Sequence, residues 1–144
     1  MVASGFNYLE FLKIVGRSKK LLRSGWLREE VINSESVAEH SFRVGVLAMV
    51  LSDKFGYKLD KEKLMKMALL HDLSEVVTGD IVTERWDVID IQKRIEKEGE
   101  EKEGIKKIFD KILEGERYVE IFLEMIQRTT PEAKVFWQLD KLEM

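Results

Sequence analysis

The chain has 144 residues, of which 44% are hydrophobic and 35% charged, a balance that suits one domain with a buried core and excludes a disordered tail. The net charge is −3, with acids and bases interspersed, which argues against nucleic acid as a partner. Because no apolar run approaches the roughly 20 residues of a membrane span, and neither a secretory signal nor a cysteine occurs, we expect a cytoplasmic protein without disulfides.

Apolar spacing predicts helices along nearly the whole chain, and no alternating strand pattern appears. In chain order, the predicted helices carry the stripes Tyr8, Phe11, Leu12 and Val15; Val44, Leu47, Leu51 and Phe55; Leu64, Ala68 and His71; Ile105, Ile108, Phe109, Ile112 and Leu113; and Tyr118, Ile121, Phe122, Met125 and Ile126. Gly56 should end the second helix, Asp60 should cap the third, and Thr130 with Pro131 should open a last one.

Charge and composition add two predictions about the surface and the source. The stretch 93–107 is dense in Glu and Lys at helical spacing, which favours an exposed helical face or a loop over a functional acidic patch. Asn and Gln are scarce and Glu and Lys abundant, a pattern typical of proteins from hot-growing organisms.

The chain has only two histidines, His40 and His71, and the second stands in an unusual setting. His71 and Asp72 end an otherwise apolar run, where burying an imidazole and a carboxylate is costly unless something compensates. Glu75 lies one helical turn beyond His71, and Asp140 again places an acid on a core-facing stripe. This set suits a divalent metal with open positions for water, while a buried ion-pair network without metal is the alternative.

Four ordered strings resemble the HD-domain metal-dependent phosphohydrolases, and among them the 5'-deoxynucleotidase branch. The strings are ESVAEHS at 35–41, HDLSEV at 71–76, TGDI at 78–81 and QLDKLEM at 138–144. The resemblance runs from about residue 21 to the C-terminus. Relatives commonly continue for another helix beyond this point, so we expect a short or incomplete form.

The resemblance implies an all-α fold, a single HD-domain helical bundle over residues 1–144, and a homodimer. It implies a phosphohydrolase that uses one divalent ion, such as Mn, Co or Mg, to activate water and release phosphate from nucleoside 5'-monophosphates, with a preference for deoxyribonucleotides. The implied metal ligands are His40, His71, Asp72 and Asp140. Glu75 and Asp80 match the catalytic acids, and Trp26 matches a tryptophan that packs against the sugar; Trp86 and Trp137 are assigned to packing.

Substrate binding is where the chain departs from this pattern. An arginine is expected directly before the tryptophan, yet the residue there is Gly25, so Arg28 or Arg43 is expected to supply the charge. Two other functions compete: a nucleotide pyrophosphohydrolase of the same fold, and a non-catalytic helical regulatory module. The candidate dimer surfaces are the apolar stripe at 105–113 and the one at 118–126, although a core helix explains either stripe more simply.

Overall fold

The computed structural model describes residues 5–55, 58–79 and 91–144, apart from the side chains of Arg28 and Phe55. Within these ranges the chain is helical and forms no strand beyond an isolated bridge between Leu22 and Ser36. The helices are α1 (Tyr8–Gly16), followed by a 3-10 turn (Arg17–Lys19), α2 (Ser24–Arg28), α3 (Val37–Phe55), α4 (Lys61–Leu70), α5 (Glu75–Thr78), α6 (Ile91–Phe109), α7 (Glu116–Gln127) and α8 (Pro131–Glu143). The predicted all-α class is confirmed. None of the described helices is both long and apolar enough to cross a membrane.

Two predicted helix starts are confirmed by the hydrogen bonds of their caps. The side chain of Asp60 accepts from the N–H of Lys63 at 3.0 Å and opens α4. The hydroxyl of Thr130 accepts from the N–H of Ala133 at 3.3 Å and opens α8, whose first residue is Pro131. Both caps satisfy backbone donors that a helix leaves without partners. Gly56, the predicted end of α3, lies outside the described residues.

The start of α3 depends on a reciprocal pair of hydrogen bonds between Ser36 and Glu39. The N–H of Ser36 donates to the Glu39 carboxylate at 2.7 Å, and the N–H of Glu39 donates to the Ser36 hydroxyl at 3.2 Å. The donors of Ser36 hold the pKa of Glu39 below its usual range. This capping box is a local sequence signal, and it places His40 in the first turn of α3.

The hydrophobic core is formed mainly by α3, α4, α6, α7 and α8. Its fully buried members include Val44, Leu64, Met67, Ile105, Ile108, Phe122 and Phe136. The stripes predicted for 105–113 and 118–126 therefore supply core side chains to the monomer. This burial supports the simpler explanation of each stripe as a core helix, although Leu113 at the end of the first stripe is 60% exposed. The dimer surface itself stays a prediction.

Helix α1 differs from its predicted stripe. Ile14 is its buried residue, whereas Tyr8 and Leu12 are 53% and 63% exposed. The ring of Phe11 lies 5.6 Å from the ring of Phe109, while the hydroxyl of the exposed Tyr8 accepts from the N–H of Leu113 at 3.2 Å. Phe11 and Val15 of the predicted stripe pack against the core, whereas Tyr8 and Leu12 lie mostly in solvent.

Helix α6 changes character along its length. The first part, 91–103, is mostly exposed and carries pairs one turn apart, such as Arg94 Nε to Glu98 Oε1 at 2.9 Å, as predicted for this charged stretch. Burial begins at Gly104, where a Cβ atom would lie 3.2 Å from the carbonyl oxygen of Ser74. The glycine thus allows α6 to approach the turn between α4 and α5 closely, and that turn carries the histidine–aspartate pair.

Candidate metal centre

Three segments converge at one end of α4. His71 and Asp72 occupy the tight turn that follows α4, and the N–H of His71 still donates to the Met67 carbonyl at 3.0 Å. His40 comes from the first turn of α3, and Asp140 from the last turn of α8. The packing of α3 and α8 against α4 therefore brings together side chains that are up to 100 residues apart in sequence.

Two imidazole nitrogens and two carboxylates face one another in this cluster. Asp140 Oδ1 lies 3.1 Å from His40 Nε2 and 3.4 Å from His71 Nε2. Asp72 Oδ2 lies 3.2 Å from His71 Nε2 and 3.8 Å from His40 Nε2. Each of the two carboxylates therefore faces both Nε2 atoms, at 3.1 to 3.8 Å.

Both histidines present Nε2 to the cluster because their other ring nitrogen is engaged. His71 Nδ1 lies 2.7 Å from the carbonyl oxygen of Ala68, and since a carbonyl only accepts, Nδ1 carries the proton. His40 Nδ1 lies 2.5 Å from Glu143 Oε2, where the carboxylate is likewise the acceptor. In each neutral imidazole the lone pair of Nε2 is therefore directed to the cluster, as metal coordination requires.

The donor set fits a divalent cation. Ligand atoms of His40, His71 and Asp140 all lie within 4.8 Å of one another. His71 Nε2 is buried and makes no hydrogen bond of ordinary geometry with a described residue. Two imidazole nitrogens with carboxylate oxygens form a ligand set typical of a transition-metal ion that keeps open positions.

The electrostatics of the cluster favour a positive charge at its centre. Burial by itself lowers the pKa of His71, but the carboxylates of Asp72 and Asp140 outweigh it and raise that pKa to about 10. For the carboxyl group of Asp140 burial has the opposite effect and raises the pKa, yet the imidazoles of His40 and His71 hold that pKa far below its usual range. Without a metal, the cluster therefore retains a proton, for which a divalent cation would compete.

Arg23 is the cationic side chain beside the cluster, and the sequence predicted no role for it at this site. Its Nη1 donates to Asp72 Oδ2 at 2.7 Å, and its Nε lies 4.0 Å from Glu35 Oε1. The same Glu35 oxygen accepts from the indole N–H of Trp26 at 3.3 Å. Trp26 is thus connected through Glu35 to the edge of the cluster, near the site predicted for it. No local pattern in the sequence pairs Arg23 with Asp72, which is 49 residues away.

Of the two arginines predicted for substrate binding, Arg28 and Arg43, the structure describes the side chain of Arg43 alone. Arg43 lies behind His40, where its Nε is 2.8 Å from Glu143 Oε1 and its Nη1 is 3.2 Å from Glu35 Oε2. Its side chain remains 60% exposed. The side chain of Arg28 is not among those described. Glu35 and Glu143 belong to the strings 35–41 and 138–144, but no spacing in the sequence connects either of them with the ring of His40.

Glu75 is buried in the turn that carries the cluster. It is the first residue of α5 and is 6% exposed, and its N–H donates to the Asp72 carbonyl at 3.1 Å. The structure thus places Glu75 next to the histidine–aspartate pair. The group of ligand atoms from His40, His71 and Asp140 includes neither Glu75 nor Asp72, but Asp72 faces both imidazoles at 3.2 and 3.8 Å. Asp80 and Trp86 lie outside the described residues.

Aromatic side chains close the cluster on the side of α8. The ring of Phe136 lies 5.1 Å from the ring of His71 and 5.1 Å from that of Trp137. The indole N–H of Trp137 donates to the Met125 carbonyl at 2.9 Å, and the guanidinium of Arg128 lies 4.0 Å over its ring. Trp137 therefore packs against the core, as predicted.

Comparison with known proteins places the chain in a family. The model of the HD domain matches residues 15–144. The 5'-deoxynucleotidase HDDC2 of Mus musculus is 36% identical over 141 residues, which cover 98% of this chain and 68% of that protein. The protein of the same name from Danio rerio is 34% identical, with 96% of this chain and 66% of the relative covered. The chain thus spans about two thirds of the length of these curated relatives.

Solved structures agree with this placement. A conserved hypothetical protein from Pyrococcus furiosus superimposes with a TM-score of 0.77 at 32% identity, covering 94% of this chain and 76% of that one. A protein from Pyrococcus horikoshii gives 0.77 at 34% identity, with 94% and 73% covered. The chain therefore belongs to the HD-domain family of metal-dependent phosphohydrolases, in the branch whose curated members are named 5'-deoxynucleotidases.

Proposed function

We propose that residues 1–144 act as one HD domain that releases phosphate from nucleoside 5'-monophosphates, with a preference for deoxyribonucleotides. The observation that carries the proposal is the convergence of His40, His71, Asp72 and Asp140, with Arg23 bound at its edge. Such a cluster can hold one divalent ion, for which Mn, Co and Mg are the candidates. The curated relatives named 5'-deoxynucleotidases support the substrate class.

The chemistry assigns a separate task to each acid. When bound, a divalent cation supplies water activation at neutral pH and offsets charge on the phosphoryl group. Glu75 accepts a proton from the attacking water while the water oxygen bonds to phosphorus. The bond from phosphorus to the 5'-oxygen breaks, and Asp80 assists the leaving oxygen or orients the attacking water. Nucleoside and inorganic phosphate are the products.

For substrate binding we propose Arg23 and Trp26 as the main contacts. Arg23 is already oriented toward the cluster by its bond to Asp72, and a guanidinium binds phosphate oxygens in a bidentate manner. Trp26, held through Glu35, offers its ring to the sugar. Arg43 keeps an exposed face that a substrate can meet, and Arg28 remains a candidate from the sequence.

Replacing Arg23 with Gln should raise the Michaelis constant for a deoxynucleoside 5'-monophosphate. Loss of one charge-assisted contact costs roughly 1.5–3 kcal/mol, or about 10- to 100-fold in KM. Steady-state kinetics of phosphate release measure the change. Arg117→Gln is the matched control, because this arginine of α7 is 69% exposed and pairs with Glu114 instead. An unchanged KM in the Arg23 variant would show that another cationic side chain binds the phosphate of the substrate.

A phosphate-release screen tests the function itself. Ribo- and deoxyribonucleoside 5'-monophosphates are offered to the protein with Mn²⁺, Co²⁺ or Mg²⁺, and nucleoside triphosphates are assayed in parallel for pyrophosphate. Phosphate from monophosphates supports the proposal, whereas pyrophosphate from triphosphates would show the alternative pyrophosphohydrolase. A protein that binds no metal and releases neither product would instead be a non-catalytic helical module.

We further propose a homodimer that forms through one face of α3. This face exposes large apolar side chains at helical spacing, bordered by one residue of α4: Phe42, Val46, Met49, Val50 and Leu69. A Cβ atom at Gly45 would lie 3.5 Å from Leu69, so the two helices form one continuous surface there. A second copy that presents the same face would bury these side chains in a symmetric contact.

The double variant Val46→Glu/Val50→Glu should shift the protein from dimer to monomer, because two carboxylates would be buried without partners on each side. Light scattering at micromolar concentration measures the mass. The control is Leu9→Glu on α1, where the leucine is 64% exposed outside this face, and this variant should remain dimeric. A wild-type protein that is monomeric at micromolar concentration contradicts the dimer.

The location and the source remain inferences from composition. We propose a cytoplasmic protein, because the sequence has no cysteine and no apolar run as long as a membrane span, with a nucleotide as its small-molecule partner rather than nucleic acid or a membrane. The scarcity of Asn and Gln beside abundant Glu and Lys supports a hot-growing source.

A further inference from the structure

We propose that Glu143 is a positioning residue for the metal centre, and that it acts by fixing the tautomer and the orientation of His40. The inference rests on the metal binding proposed above but does not depend on which phosphate ester is hydrolysed. The side chain of Glu143 is 4% exposed and lies on the opposite side of the His40 ring from the cluster. It therefore reaches the imidazole without being one of the cluster's ligands.

The contact defines which ring nitrogen carries the proton. Glu143 Oε2 lies 2.5 Å from His40 Nδ1, while His40 Nε2 lies 3.1 Å from Asp140 Oδ1. A carboxylate at Nδ1 accepts its N–H, so the lone pair of the neutral ring is left on Nε2. Such carboxylate–histidine pairs orient metal-binding rings and raise the basicity of the coordinating nitrogen.

The Glu143 carboxylate is itself held in place. Arg43 Nε lies 2.8 Å from Glu143 Oε1, and Arg43 Nη1 lies 3.2 Å from Glu35 Oε2. Glu35 in turn lies 3.6 Å from His40 Nδ1. The guanidinium thus joins the two carboxylates behind the ring and offsets their charge. Glu143 orients His40 directly, and the charge of Arg43 lies beside the other oxygen of that carboxylate.

His71 provides an internal comparison. Its Nδ1 donates to the main-chain carbonyl of Ala68, so its tautomer is set by the backbone and no side-chain substitution removes the acceptor. His40 depends on side chains instead, because its Nδ1 faces Glu143 at 2.5 Å and Glu35 at 3.6 Å. The metal centre therefore has one ring oriented by the fold and one oriented by a replaceable carboxylate.

Titration of the metal-free protein with Co²⁺, followed by visible absorption, tests the role of Glu143. Glu143→Ala should weaken Co²⁺ binding by about 10- to 100-fold. Glu143→Gln should recover much of this loss, because the amide oxygen still accepts from Nδ1. Glu132→Ala is the matched control: this glutamate of α8 is also buried, but it accepts from the N–H of Asp60 at 2.9 Å, away from the histidines. It should leave the dissociation constant for Co²⁺ unchanged.

A spectroscopic readout separates positioning from general destabilisation. Because the chain has only two histidines, the ring N–H protons of the Zn²⁺-loaded protein can be assigned by NMR. The Nδ1–H signal of His40 should be protected from exchange in the wild type and in Glu143→Gln, and lost in Glu143→Ala. The His71 signal should persist in all three.

Three outcomes would overturn the inference. One is wild-type Co²⁺ affinity in Glu143→Ala. Another is an equal loss of Co²⁺ affinity in Glu143→Ala and Glu143→Gln, which would show that the negative charge of Glu143, and not its hydrogen bond to His40, supports metal binding. The third is an equal loss in Glu132→Ala, which would indicate only weakened folding. A protein that binds metal as described but hydrolyses no nucleotide leaves the role of Glu143 intact and contradicts the proposed function alone.

Discussion

His71→Ala should contain no stoichiometric metal and should lose activity by roughly 1,000-fold or more, since the contribution of the metal to catalysis is worth several kcal/mol. The reason is that only two imidazoles are present in the chain and both face the cluster. No neighbouring histidine can replace His71, and the partly buried carboxylates of Asp72 and Asp140 would lose the imidazole nitrogen that faces them at 3.2 and 3.4 Å. Metal analysis and phosphate release on the same preparation measure both losses.

Asp140→Ala is the companion variant. Its activity should fall similarly, but its metal loss should be weaker because a water can occupy the position that a carboxylate oxygen leaves. Circular dichroism of the metal-free proteins serves as the folding control, since the ring of His71 also packs 5.1 Å from Phe136. Stoichiometric metal and normal turnover in a folded His71→Ala protein would contradict the assignment of the metal centre.

Features of the fold that depend on neighbouring residues were predictable from the sequence. The caps at Asp60 and Thr130 are local signals, because each side chain bonds a backbone N–H three residues ahead. The buried stripes were predictable for the same reason, since helical spacing relates residues three and four apart. The capping box at Ser36 and Glu39 was available in the sequence as well and would have given the start of α3.

Features that depend on packing between distant segments were not predictable from spacing. His40 and Glu143 are 103 residues apart, and Arg23 and Asp72 are 49 apart. Charged residues are frequent in this chain, so nothing in the sequence selects these partners from the others. The same limit applies to α1, where spacing alone could not show that Ile14 rather than Tyr8 contacts the core. The four predicted metal ligands came from the resemblance, and the structure places their side chains next to one another.

Glu75→Gln should lower turnover by roughly 100-fold or more while the metal content stays the same. Gln keeps the volume and the hydrogen-bonding capacity of the side chain but cannot accept a proton from water. The backbone around Glu75 should be unaffected, because its position is set by main-chain bonds to the Asp72 carbonyl at 3.1 Å and from the Gly79 N–H at 2.7 Å. The midpoint of thermal unfolding should therefore change little.

The division between kcat and KM makes this prediction specific. Nucleotide binding is assigned to the metal, Arg23 and Trp26, so the loss of a proton acceptor at Glu75 should leave KM nearly unchanged. A loss confined to kcat indicates an interaction that is made mainly in the transition state. Glu132→Gln is the matched control, since it makes the same change at another buried glutamate and should leave kcat unaltered.

Metal analysis and steady-state kinetics on one preparation distinguish the outcomes for Glu75. If Glu75→Gln loses its metal, Glu75 is a ligand, and the set of coordinating side chains is larger than the four assigned here. If it keeps both metal and full turnover, the proton goes to another base, for which Asp80 is the first candidate. A fall in kcat with the metal retained is the result that assigns the removal of the water proton to Glu75. Loss of a ligand would lower the metal content, and loss of a packing contact would lower the stability. Neither would lower turnover and leave metal content, KM and stability unchanged.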